Sequence, residues 1–484
     1  MEEKVKTILD YFEQISAIPR CSKNEEQIGL WLKQWAETKQ LAVKKDAAGN
    51  LLINVPPTPG YENAPIIVIQ GHTDMVCEKT PDSTHDFSND PIKNIIDGDW
   101  LRADNTTLGA DNGIAIALAM AVADDESITH PPLELLFTVD EETGLNGAKE
   151  LEPGFIEGRV LLNVDSETEG IFTVGCAGGK HTHISRKLTL TDLAEKSQIF
   201  NLNISGLHGG HSGIDIIKQR ASANKILART LHQLAIACDL RMISLKGGSA
   251  HNAIARDADV AFACASENSG DLTRMVSEFE RTVQTDYGTI ETNLAIKLRA
   301  AESPAPKIKA LGVAETRNVI NLLLSLPHGV MGMSTVFTDL VETSNNLATV
   351  EIKDDTLQIL TSQRSLTRSR LDEIANSIGA MAAIAGTDTR YDSEYPPWTP
   401  NMQSPLLELC RKIYKQGFDQ EANVISVHAG LECAIMGEKY EGRDLISVGP
   451  DIRDPHSPNE GLDIPSLGKV WRFMEALLKS YGSK

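Results

Sequence analysis

Apolar residues recur at helical spacing over residues 3–17 (Val5, Ile8, Leu9, Phe12, Ile15) and 25–38 (Ile28, Leu32, Trp35), which predicts two amphipathic helices. The second follows Ser22-Lys23-Asn24-Glu25, a helix-start signal. Short apolar runs bounded by Gly, Pro or Asp come next, at Leu51–Val55, 66–70, 133–139 and 160–164, and read as buried strands. Between them, residues 113–123 are almost wholly apolar and free of turn residues, so they read as a buried helix after the loop 102–111. Helices alternating with strands predict an α/β sheet with helices packed on it.

The pattern changes in the middle of the chain. Strand-like segments (198–204, 348–352) alternate there with long amphipathic helices (221–237, 270–283), which suits an α+β domain. A polar, turn-rich stretch, 392–401, ends it, and an α/β pattern resumes with a helix from Pro405, a strand near 424–427 and a closing helix at 465–480. The expected organisation is a discontinuous α/β domain, residues 1–185 and 392–484, interrupted by an inserted α+β domain at 186–391. A chain of 484 residues is long enough for at least two cores.

Composition narrows the partners. With 46 Lys and Arg against 67 Asp and Glu, a net charge of −21 argues against a nucleic-acid or anionic-membrane surface, which draws its binding energy from clustered cations. The N-terminus has no basic stretch leading into an apolar signal core, and no run of apolar residues is long enough to span a bilayer, so a cytoplasmic protein is expected. Seven cysteines without a CxxC pair suit a reducing compartment and read as structural buried thiols.

The chemistry-bearing residues stand where the strands end, the place at which open α/β sheets build sites. After 66–70 comes Gly71-His72-Thr73-Asp74, in which His72 can ligate a metal while Asp74 braces the site by hydrogen bonding. The loop before the apolar helix, Leu108-Gly109-Ala110-Asp111-Asn112-Gly113, places a carboxylate between glycines. Strand 133–139 runs into Asp140-Glu141-Glu142-Thr143-Gly144, and strand 160–164 into Asp165-Ser166-Glu167. Taken singly, the first is an ordinary turn, Asp111 a helix cap and the acidic run a solvated loop. Adjacent carboxylates repel unless solvent screens them or a cation lies close. Four such loops on one rim favour a metal site. Mixed imidazole and carboxylate donors suit Zn²⁺, with Co²⁺ or Mn²⁺ as substitutes. The charge of Asp111, Glu142 and Asp165 would be balanced by two dications sharing one hydroxide.

These motifs, with Gly206-Leu207-His208-Gly209-Gly210-His211, Gly248-Ser249-Ala250-His251-Asn252, Ser362-Gln363-Arg364 and Pro455-His456-Ser457-Pro458-Asn459-Glu460, resemble the dinuclear-zinc exopeptidases. The wording is closest to the aminoacyl-histidine (Xaa-His) dipeptidases, also called peptidase D, and the resemblance covers essentially the whole chain. It implies a zinc-exopeptidase catalytic domain, a mixed sheet flanked by helices, closed around an inserted lid. Asp111 would bridge two Zn²⁺ ions, with His72 and Asp165 completing one site and Glu142 and His456 the other. Glu141 would be the general base and Asp74 the acidic residue beside the metal. The lid would offer His211, Asn252 and Arg364 to the substrate, and Glu432 matches a substrate-pocket segment that receives the amino terminus. His211 in its Gly-rich turn also reads as structural, and Arg364 as a surface cation.

The activity implied is hydrolysis of Xaa-His dipeptides by metal-activated water. A tripeptide aminopeptidase, an N-acyl-amino-acid deacylase or a carboxypeptidase on the same scaffold is the alternative within enzymes, and a non-catalytic metal- or peptide-binding protein the alternative outside them. Small dipeptides are the expected partners, with no nucleic acid and no membrane, and the lid is expected to form a homodimer. Lid closure would hinge near 184–188 and 390–394. The insert is also large enough to mimic a pair of lids within one chain.

Overall fold

The computed structural model describes residues 2–194, 197–265, 269–301 and 308–482. Two compact units emerge: residues 1–176, 398–426 and 431–484 form the first, and residues 177–397 with 427–430 the second.

In the first unit an eight-stranded sheet runs in the order Ala42–Lys45, Leu51–Val55, Leu133–Thr138, Ile67–His72, Val160–Asn163, Asp444–Ser447, Ile171–Cys176, Asn423–Val427. Its centre is parallel: Ile67–His72 pairs in parallel with Leu133–Thr138 on one side and Val160–Asn163 on the other, and Asp444–Ser447 extends that set. Every residue of Leu133–Thr138 and Ile67–His72 is buried, as expected for strands covered on both faces. The apolar helix is Ala110–Asp124, buried from Ala110 to Val122. The amphipathic helices Glu3–Ser16 and Glu26–Thr38 lie within two residues of their predicted bounds and bury the predicted stripes, Val5, Ile8, Phe12 and Ile15, then Ile28 and Leu32. Helices Pro405–Phe418 and Ile464–Ser480 carry side-chain caps from Ser404 and Asp463 and a proline in their first turns.

Ser22 caps nothing. The residue before the second helix is Glu25, without a side-chain cap bond, and the Ser22 hydroxyl donates instead to Asp74 Oδ2 at 2.8 Å. The reading of all seven cysteines as thiols is likewise corrected: Cys21 and Cys77 form a disulfide with Cα atoms 5.8 Å apart, while Cys176, Cys238, Cys264, Cys410 and Cys433 are buried thiols. A parallel bridge between Cys21 and Met75 brings together two cysteines 56 residues apart, a juxtaposition no local spacing reveals.

The second unit is an antiparallel sheet of nine strands with helices on it. Its order is Ala295–Ala300, Ser197–Ser205, Ala258–Ala265, Arg241–Gly247, Val341–Lys353, Thr356–Ser365, Gly178–Lys187, Asp388–Tyr395, with Gly329–Met333 added on Val341–Lys353. Helices Ala223–Ala237, Val313–Ser325 and Arg368–Ile384 contribute Leu227, Leu231, Ile320, Leu323 and Ile378 to a core shared with Phe200, Phe262 and Leu347 of the strands. The unit extends past 186–391 at both ends, because Gly178–Lys187 and Asp388–Tyr395 pair with each other inside this sheet. Segments 184–188 and 390–394, expected as hinges, are therefore largely strand, and the chain passes between units at 176/177, 397/398, 426/427 and 430/431. The start of the supposed turn, Asp392 to Tyr395, is edge strand whose alternating polar residues hide it from a hydrophobic pattern.

Candidate metal centre and substrate groups

His72 is the last residue of its strand, and parallel neighbours bring the residues after Thr138 and Asn163 to the same rim. The His72 ring has a different partner on each nitrogen. Nδ1 lies 3.1 Å from the Asp74 carbonyl oxygen and 3.3 Å from its Oδ1, and Nε2 lies 3.1 Å from Asp111 Oδ1 and 3.6 Å from Asp165 Oδ1. Across Asp111, His456 Nε2 stands 3.0 Å from Oδ2 and 3.2 Å from Glu142 Oε1. The two oxygens of one carboxylate thus face two different histidines, one with Asp165 beside it and the other with Glu142.

These separations, 3.0–3.6 Å, come within about 0.3 Å of those of ligand atoms around a metal. Donors about 2.0–2.2 Å from a tetrahedral ion lie roughly 3.3–3.6 Å from one another. His72, Asp111 and Asp165 form one such group, and Asp111, Glu142 and His456 a second. Glu142 Oε1 is buried with the His456 ring beside it, and burial pushes the Asp165 carboxyl up to about 6 and Glu141 well above the usual carboxylate range, with neighbouring acids adding to the effect. Such charges need a compensating cation. The donor set fits two divalent ions. The plain readings of the motifs fail here: both Asp111 oxygens face histidines instead of capping the helix that follows, and the Glu142 side chain is only 8% exposed, unlike one in a solvated loop.

The rim is braced from behind. Asp74, wholly buried, accepts from the Glu141 amide at 3.0 Å and the Glu142 amide at 3.2 Å, so it holds the acidic loop as well as the His72 ring. Its carboxyl is held down at about 2: burial opposes this, but the His72 hydrogen bond and charge, with the Glu141 amide and Ser22, outweigh it. Glu460 accepts from the amides of Leu108, Gly109 and Asp111, fixing the loop that presents Asp111. Arg20, buried, donates to the carbonyls of Thr73, Asp74 and Gly109. At Gly109, φ is +69° and a Cβ would lie 2.5 Å from Arg20 Nη2, so glycine is required there. Sequence reasoning assigned no role to Arg20 or Glu460. Glu460 at least lay four residues after His456 in a quoted motif, whereas Arg20 carried no local signal.

Glu432 lies in the same unit, entirely buried, and its Oε2 accepts from Gln70 Nε2 at 2.6 Å and Thr138 Oγ1 at 2.7 Å. Its Oε1 is buried without a hydrogen-bond partner among the described residues, and burial pushes the carboxyl up to about 7.

The remaining candidates are in the second unit. His211 pairs with Ala253 in an isolated antiparallel bridge, and the Ser212 amide donates to the Asn252 carbonyl, so two motifs forty residues apart form one loop cluster. His211 Nδ1 accepts from the amides of Gly213 and Ile214 at 3.3 and 3.2 Å, which leaves the proton on Nε2. Burial, then the Arg364 charge, lowers its pKa to about 4, so the ring is a neutral donor at pH 7. Arg364, next to last in strand Thr356–Ser365, is buried and not a surface cation. Its Nη1 donates to the Tyr395 hydroxyl at 2.8 Å, and its Nε has no hydrogen-bond partner among the described residues. No helix among the described residues is long and apolar enough to cross a membrane.

Residues 68–480 match the model described as peptidase family M20/M25/M40. The Escherichia coli (strain K12) protein described as cytosol non-specific dipeptidase is 38% identical over 98% of this chain and 97% of its own length. The crystal structure of aminoacylhistidine dipeptidase from Vibrio alginolyticus matches with a TM-score of 0.89 at 37% identity, covering 99% of this chain and 97% of that one. Aminopeptidase PepT from Bacillus cereus shares the fold, with a TM-score of 0.57 at 15% identity over 99% of both chains.

Proposed function

The chain belongs to peptidase family M20/M25/M40, the peptide-bond hydrolases, and on that footing we propose that it is a metal-dependent dipeptidase acting on Xaa-His dipeptides. The observation that carries the reading is the division of the Asp111 carboxylate between His72 and His456. In this reading His72 and Asp165 would hold one ion, Glu142 and His456 the other, and Asp111 would offer one oxygen to each. Zinc suits the donors best, with Co²⁺ or Mn²⁺ as substitutes. When bound, two divalent ions supply Lewis acidity, polarising a carbonyl and lowering the pKa of water toward neutrality.

The chain's own residues do the rest. Glu141 takes the proton from the attacking water and passes it to the leaving amine, a role helped by burial that keeps its proton affinity high. Asp74 fixes both the His72 ring and the Glu141 backbone, so base and ligand share one brace. His211 offers its Nε2 proton to the oxyanion, and neutrality at pH 7 keeps it a donor without adding charge. Arg364 pairs with the substrate carboxylate, Asn252 steadies the bound peptide, and Oε1 of Glu432 receives the amino group. The second unit would thus serve as a lid.

A broader dipeptide range is the second reading, favoured by the description of the E. coli relative as non-specific. A cytoplasmic location is supported by the same description, although the Cys21–Cys77 disulfide runs against a reducing compartment. We also propose a homodimer through the second unit. Against it, the nine-stranded sheet already joins two groups of strands within one chain at a short seam, Lys246 and Gly247 on Glu351 and Val350.

The deciding assay compares Xaa-His dipeptides with other dipeptides, tripeptides and N-acyl amino acids, with Zn²⁺ and after chelation. The proposal expects dipeptide hydrolysis that disappears with the metal and returns with it. Turnover of tripeptides or N-acyl amino acids in preference to dipeptides would overturn it.

A further inference from the structure

A second cluster of ligand-type side chains lies in the second unit and has no part in the reaction just described. His181 and His183 sit two residues apart on strand Gly178–Lys187, hence on one face of it. Asp392, on strand Asp388–Tyr395, is the cross-strand partner of His181 and the diagonal neighbour of His183. Both rings aim at one oxygen: His183 Nε2 is 3.0 Å and His181 Nδ1 3.8 Å from Asp392 Oδ1.

An ion pair would need only one imidazolium on that carboxylate. A second imidazole aimed at the same oxygen is redundant for a salt bridge, but it is what chelation requires. The donor separations bracket the roughly 3.3 Å edge of a tetrahedral zinc site. The remaining oxygen, Oδ2, is held by Arg390 Nη1 at 2.7 Å, which turns Oδ1 toward the histidines. The His251 ring packs against that of His181 with centroids 4.8 Å apart, limiting its rotation. The group is partly exposed, with side chains 16%, 36% and 31% accessible, so an ion can enter and a water can fill the open position.

We propose that His181, His183 and Asp392 form a separate mononuclear site for one borderline divalent ion of the zinc, nickel or copper type. Its occupant clips two neighbouring strands at the edge of the antiparallel sheet. Partly exposed and with a single carboxylate, this site should fill after the strand-end pair, where Asp111, Glu142 and Asp165 bring three.

The test is equilibrium dialysis of the whole protein against buffered free Zn²⁺, from nanomolar to high micromolar, with metal counted per chain. The wild type should take up one further ion in the micromolar range after the first two. His183→Ala/Asp392→Asn should lose that ion, with affinity down about 100-fold or more, while dipeptide turnover is unchanged. His183→Gln, which keeps a polar side chain of similar size, should lose it too and guards against a folding defect. In a His72→Ala/Asp111→Ala background the weaker ion should persist, which separates this site from the strand-end centre. Identical isotherms for wild type and His183→Gln, or saturation of the wild type without a further ion, would overturn the proposal.

Discussion

In the eight-stranded sheet, His72, Glu141, Glu142 and Asp165 each stand at or just past the carboxyl end of a parallel strand, whereas in the nine-stranded sheet Arg364 is next to last in an antiparallel strand and His211 and Asn252 hang on loops joined by an isolated bridge. Parallel strands deliver all their carboxyl ends to one rim, so motifs that follow them converge without further instruction. Antiparallel strands send successive ends to opposite edges, and convergence then depends on long-range pairings such as His211 with Ala253. The electrostatics differ in the same sense. The strand-end histidines are held protonated by carboxylates around them, while burial and the Arg364 charge keep His211 and His428 neutral, at about 4 and about 3. In the proposed function the first region would hold cations and the second would meet an anionic group.

The comparison breaks most visibly at Glu141. Glu141→Gln should lower kcat about 10²–10⁴-fold while both ions remain, measured by turnover beside metal content. Metal loss in that variant would make Glu141 a ligand and dissolve the division between adjacent glutamates. His211→Ala should cost about 10²–10³-fold in kcat without altering metal content, the scale for removing one oxyanion donor. An unchanged kcat would return His211 to a structural role in its Gly-rich turn. Arg364→Lys replaces a forked donor by a point charge and should raise KM for dipeptides about tenfold. If KM stays put, the carboxylate is held elsewhere.

The smallest effect is in protons. Hydrogen bonds to Asp111 and Glu142 raise His456 to about 11, and carboxylate partners outweigh burial to hold His72 well above its ordinary value. Both rings are therefore imidazolium at pH 7 in the metal-free protein and must give up that proton to bind a dication; with Glu141 also held well above the usual carboxylate range, loading should release at least two protons and strengthen as pH rises. A pH-stat on addition of Zn²⁺ measures this. His211 and His428, already neutral, should contribute none.

Legibility in the sequence followed the same division. Buried parallel strands are apolar runs that stop at charged loops, so 66–70, 133–139 and 160–164 located both the sheet and His72, Glu141, Glu142 and Asp165 to within about two residues. His456 could be reached only through family resemblance, because its partner Asp111 lies on a distant segment that the insert separates from it. Strand Asp388–Tyr395 was read partly as a turn because an edge strand with alternating charge has no apolar face to detect. Arg20, Glu460 and the Cys21–Cys77 pair act through contacts across long sequence separations, and nothing next to them in the chain signals a partner.

The central claim is that Asp111 bridges two ions. Anomalous X-ray diffraction from zinc-soaked crystals tests it most directly. Two peaks about 3.5–4 Å apart should flank Asp111, one beside His72 and Asp165 and the other beside Glu142 and His456, and both should vanish in Asp111→Ala. A single peak at this centre, or a pair that survives loss of Asp111, would contradict the account.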